Sequence, residues 1–151
     1  MPRVSREAEV VWEGSSARGR GSITGVSSGA FAALPYSEPT RVGRPEGETS
    51  PEELVAAAHA GCFAMSLAAE LTRARKPPER LVVRAEVVLD EVEGAGHRIV
   101  SSQLVVRARV PGIEENDFRA VVDDAHEGCT ISALVRASAA VSIDAELQEV
   151  L

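Results

Sequence analysis

The sequence lacks several features that would assign it a class at once. It has two cysteines, no repeat or low-complexity tract, and no apolar run of full bilayer length. With a formal net charge of −7 and a pI near 5.0 it also lacks the positive surplus that nucleic acid or an anionic membrane requires, so neither is expected as a partner. The N-terminal stretch MPRVSREAEVVWEG has no apolar h-region. The expectation is a chain without a secretory signal, working in a reducing cytoplasm. Two cysteines there are not expected to form a permanent structural disulfide, which leaves a transient, functional one. What is present is 151 residues, 44% hydrophobic and 26% charged, enough for a single globular domain over residues 1–151 with its own core.

The chain is organised around TSPEELVAAAHAGCFAMSLAAE, Thr49 to Glu70. Ser50 suits an N-cap, Pro51 the first helical position, and Glu53 completes a capping box three residues on. From Leu54 to Ala69 nearly every residue is apolar or small, with seven alanines, so this helix is expected to be wrapped by other elements. A membrane span is rejected, because the run is shorter than ~20 residues, holds His59 and Ser66, and is closed by Glu52, Glu53 and Glu70.

Around it, residues 5–13 and 19–28 read as a hairpin of two strands, and PYSEPTRVGRPEGETS as a Pro/Gly-rich loop whose length suggests function. Residues 80–92 alternate, with Leu81, Val83, Ala85, Val87 and Leu89 on one face. They pair through a turn at 93–96 with residues 98–110, a register break being expected near Ser101 and Ser102. Phe118, Val121, Val122 and Ala125 recur at helical spacing within 114–127, with acids in the first turn. Gly128 ends that helix, CTISALVRA is too short to assign, and 138–147 is a last strand. The order ββ-α-ββ-α-β predicts an α+β fold, a curved antiparallel sheet around the central helix.

A thiolate is the reactive form of cysteine, and a helix N-terminus or a cation favours it. Cys62 is too deep in its helix for the macrodipole, so a positive neighbour is expected from elsewhere: Arg41 or Arg44 from the loop, Arg18 or Arg20 from the hairpin. An inert, buried cysteine is the plainer alternative.

TSPEELVAAAHAGCF, preceded by PYSEPTR and VWEG and followed by EGCTISAL, resembles the OsmC/Ohr family of cysteine-based organic hydroperoxide reductases, and His59 and the arginine of PTR resemble the OsmC branch. The resemblance implies an intertwined homodimer with active sites at the subunit interface. It implies a peroxidatic Cys62, a resolving Cys129 that closes an intramolecular disulfide, Arg41, and Glu52 paired with that arginine. The substrate would be an organic hydroperoxide and the reductant an external thiol or dithiol, with no cofactor and no metal. Arginine suits such a site because it is always charged and offers a fixed fork of donors. Glu52 and Cys62 are ten residues apart, about 15 Å along a straight helix, so a kink or a Glu52 from the partner subunit is required. Thr130 stands where the family has proline. The spacing from Arg41 to Pro51 is about one residue longer than the family's, so Arg44 remains an alternative to Arg41. Tyr36, Phe63 and Met65 are candidates to line an apolar pocket.

Two further readings use the same residues. His59-x-x-Cys62 and His126-x-x-Cys129 repeat a spacing that would supply two nitrogens and two sulfurs to zinc. A redox sensor would use the disulfide without turnover.

Overall fold

The computed structural model describes residues 3–149. Contacts divide the chain into two compact units, one ending at Leu54 and one beginning at Val55.

In the first unit β1 (Ala8–Glu13), β2 (Arg20–Val26) and β3 (Leu34–Tyr36) form an antiparallel sheet in that order. Trp12 and Tyr36 meet at 5.7 Å between ring centroids, and Gly21 lies between them. A Cβ there would come within 2.6 Å of the Tyr36 ring, so only glycine permits the contact. The segment expected as a plain loop is partly structured. It holds β3 and a short helix α1 (Glu38–Val42), started by a capping box between Ser37 and Thr40. Glu48 accepts from Thr40 Oγ1 at 2.9 Å and pairs with Arg20, which fixes the loop back onto β2.

Helix α2 (Pro51–Arg73) is uninterrupted. Ser50 Oγ accepts from the Glu53 N–H at 3.1 Å, while the Glu53 carboxylate takes the Thr49 hydroxyl, so half of the expected capping box forms. At 23 residues the helix is longer than its apolar run and passes for a membrane span by length and composition. Its inner stripe is nevertheless that of a core helix: His59, Phe63, Leu67 and Leu71, spaced by four, are all fully buried.

The second unit carries a sheet of β4 (Arg80–Val92), β5 (Gly96–Arg109) and β6 (Ala140–Gln148), with β5 central. Central placement explains why Ser102, Leu104, Val106 and Ala108 are wholly buried while the alternating residues of β4 and β6 are only half covered. Gly94 and Gly96 take positive φ in the β4–β5 turn. The register slips where Val88 pairs with Ser101 but Leu89 with Ile99, leaving Val100 as the extra residue, beside the expected break. β6 runs parallel to β5, a correction to the wholly antiparallel sheet expected. The intervening helices α3 (Glu115–Gly128) and α4 (Thr130–Arg136) provide the crossover a parallel pair needs. Phe118, Val121, Val122 and Ala125 of α3 complete the core with Phe63, Leu67 and Leu71. Burying each of these side chains other than that of Ala125 contributes about 1.5–3 kcal/mol.

One expectation fails for the single chain. Helix α2 is not wrapped all round: Ala57, Ala58, Gly61, Met65 and Ala69 are exposed, Met65 by 76%, and Leu134 of α4 by 68%.

Candidate active site

The second unit brings the two cysteines together. Cys62, half-buried on α2, has its sulfur 3.3 Å from that of Cys129, which is buried between α3 and α4, and both are free thiols. The juxtaposition arises because Cys129 is at once the C-cap of α3 and the N-cap of α4, its Sγ accepting the Ser132 N–H at 3.4 Å. Thr130, the next residue, sets its Oγ1 3.4 Å from Cys62 Sγ. Burial raises the proton affinity of the Cys62 thiol, but the Thr130 hydroxyl, the Ile131 backbone, the Cys129 thiol and the Thr130 backbone together outweigh it and hold Cys62 below the ordinary thiol range. Donors therefore run in one direction, Ser132 N–H to Cys129 and Cys129 S–H to Cys62, as a hydrogen-bonded chain that polarises toward Cys62. Dipolar groups of its own unit thus favour the Cys62 thiolate, where a cation alone was expected.

His59 lies one helical turn before Phe63 with both ring nitrogens engaged: Nδ1 is 2.6 Å from Ser102 Oγ and Nε2 2.8 Å from Ser132 Oγ. Burial, and then the charge of His126, keep its pKa below the ordinary histidine value, so the ring is neutral with one N–H and one lone pair. This arrangement removes the zinc reading, since no nitrogen of His59 is left for a metal. Among the described residues no group of three or more His, Cys, Asp or Glu side chains is disposed to hold one.

Arg41 and Glu52 meet in the first unit. Arg41 is in the last turn of α1, and its Nε donates to both carboxylate oxygens at 3.1 and 3.0 Å while Nη2 donates to Oε1 at 2.6 Å. The two-point pairing raises the Arg41 pKa. For Glu52, which is 8% exposed, burial favours the protonated acid, but the Arg41 bonds prevail and hold the carboxyl below its usual range. These contacts use Nε and Nη2, one edge of the guanidinium. Among the described residues no carboxylate lies in ion-pair range of Arg44 or Arg18, and Arg20 is held by Glu48.

The pocket-lining candidates fall elsewhere. Phe63 is fully buried core, Met65 is on the surface, and Tyr36 packs against Trp12 with the rings tilted by 52°. Thr130, Ser102 and Ser132 were not singled out as site residues. Thr130 was marked only by its place after Cys129 and Ser102 only by the expected register break, while for Ser132 the signal was its spacing three positions after Cys129, that of an N-cap contact, obscured because cysteine is not a common cap.

Comparison with known proteins gives consistent results. Residues 44–144 match the family model described as OsmC-like protein. The chain is 35% identical to the peroxiredoxin OsmC of Escherichia coli strain K12 over 147 residues, covering 96% of this chain and 98% of that one. It is 31% identical over 121 residues to an organic hydroperoxide resistance protein of Xanthomonas axonopodis pv. citri, covering 78% and 82%. Among solved structures, the organic hydroperoxide resistance protein OhrB of Bacillus subtilis superposes with a TM-score of 0.71 at 25% identity, covering 93% and 98%.

Proposed function

The chain belongs to the OsmC family, and from that premise we propose that it is a thiol-dependent peroxidase reducing organic hydroperoxides to alcohols, the whole chain acting as one domain in a reducing cytoplasm. The observation that carries the proposal is the 3.3 Å approach of the two sulfurs, with donors that favour the thiolate of Cys62.

The Cys62 thiolate attacks the distal oxygen of the hydroperoxide. The O–O bond breaks, the alkoxide leaves and takes up a proton as the alcohol, and Cys62 is oxidised to a sulfenic acid. Cys129 sulfur then attacks Cys62 sulfur. The S–O bond breaks, water departs with the Cys129 proton, and a disulfide forms that an external thiol or dithiol reduces. For that step the sulfurs close from 3.3 Å to about 2.05 Å.

Arg41 supplies the donors for the peroxide and the departing alkoxide, and Glu52 holds its guanidinium. Arg41 is preferred to Arg44 because it carries the carboxylate clamp. Since Glu52 precedes Cys62 by ten residues on α2, the reading pairs the Arg41 and Glu52 of one protomer with the Cys62 of another. The same homodimer would cover the exposed apolar side of α2.

The test is a coupled assay with cumene hydroperoxide and hydrogen peroxide, run with dithiol and monothiol donors. The wild type should turn over with a preference for the organic substrate, Cys62→Ser should be inactive, and Cys129→Ser should form one sulfenic acid without closing the disulfide. Full turnover by Cys62→Ser, or one oxidation event without cycling in the wild type, refutes the proposal.

A further inference from the structure

The stripe that buries α2 runs His59, Phe63, Leu67, Leu71, and only its first member is polar. An aliphatic residue at 59 would extend the core, so the imidazole and the two serine hydroxyls around it call for a role beyond packing. All three groups are wholly buried, and they join three elements: α2 through His59, β5 through Ser102 and α4 through Ser132. Ser132 faces both ways. Its hydroxyl meets His59 Nε2, and its backbone N–H donates to the Cys129 sulfur.

We propose that His59 is a positioning residue for the resolving step: through its bond to Ser132 it holds the first turn of α4 so that Cys129 stays directed at Cys62. The inference rests on the reading that Cys129 resolves a Cys62 sulfenic acid. A neutral ring matches this duty, because its one N–H and one lone pair can each be completed by a serine hydroxyl. As the sulfurs close to bonding distance, α2 and α4 must remain in register, and the ring spans them one turn from Cys62.

The experiment follows a single turnover with cumene hydroperoxide, trapping Cys62 sulfenic acid with dimedone and quantifying the disulfide by mass spectrometry. His59→Gln keeps an amide at the depth of Nε2 and so keeps the Ser132 bond; His59→Asn keeps one at the depth of Nδ1, for Ser102 alone. Sulfenic acid should still form in both, because the Thr130 hydroxyl and the Ile131 and Thr130 backbone groups continue to favour the Cys62 thiolate. Disulfide formation should be preserved in His59→Gln but slowed about fivefold in His59→Asn and in Ser132→Ala, the loss of one neutral hydrogen bond, and a second equivalent of hydroperoxide should then over-oxidise Cys62 to sulfinic acid in the slowed variants. Equal impairment of the Gln and Asn variants, or a Ser132→Ala variant resolving as fast as the wild type, overturns the inference. If a His59 variant does not fold, Ser132→Ala, which removes a single oxygen, decides alone. A wild type that traps no sulfenic acid on Cys62 and closes no disulfide overturns the functional reading itself.

Discussion

Replacing Thr130 by valine removes one oxygen from beside Cys62 while keeping a β-branched side chain of the same outline. Thr130 is exposed, so the change strands no buried polar group. Its hydroxyl is 3.4 Å from the sulfur and favours the ionised form. A hydrogen bond to a charged group is worth about 1.5–3 kcal/mol, and a long, partly solvated contact belongs at the lower end. About 1.5 kcal/mol corresponds to roughly a tenfold loss of thiolate at any pH where the thiol form dominates. The sign is definite: losing a donor to the anion moves ionisation to higher pH, and the two proteins converge once both are fully ionised. Alkylation by iodoacetamide across a pH series, with the Cys62 and Cys129 peptides separated by mass, reads this directly. Thr130→Val should react about tenfold more slowly on the low-pH limb, converge on the alkaline plateau, and be rescued by Thr130→Ser. Superimposable profiles for the wild type and Thr130→Val would show that the hydroxyl does not stabilise the thiolate.

Arg41→Lys keeps the charge but loses the fork that grips Glu52, and kcat/KM for cumene hydroperoxide should fall by about 10²-fold, while Arg44→Lys should stay near wild type. If Arg44→Lys is the damaging change, the assignment of the arginine is wrong. Leu67→Ala opens a cavity against α3 and the sheet and should cost about 2–5 kcal/mol in urea unfolding, with activity per folded molecule retained. Glu52 titrates lower in the folded protein than in the unfolded chain, so its stabilisation is complete above the unfolded pKa and disappears as the pH falls through the folded one. Urea midpoints across the acid range should show that loss in the wild type and a flatter profile in Glu52→Gln.

Much of this architecture was legible because it is repeated locally. The alternation of Leu81, Val83, Ala85 and Val87 and the spacing of Phe118, Val121, Val122 and Ala125 each report one element's own period, and the structure places β4 and α3 where those periods lie. The capped start of α2 was equally plain. The direction of β6 was not, since alternation is the same in parallel and antiparallel strands; the only hint was the length of chain between β5 and β6, long enough for a crossover. Nor was α1, five residues whose serine cap Ser37 and early proline Pro39 suit a loop equally well.

The amino-acid order by itself determined the longer elements, the apolar stripe of α2 and the identity of the two sulfurs, because these depend on neighbours within a few residues. Only the tertiary structure decided that Cys62 lies against Cys129 and Thr130, that His59 is spanned by Ser102 and Ser132, and that one side of α2 stays bare in the single chain. Those contacts join residues 43 to 73 positions apart. Their geometry is set by how α4 leaves α3 at Cys129 and packs back toward α2, which no local period encodes.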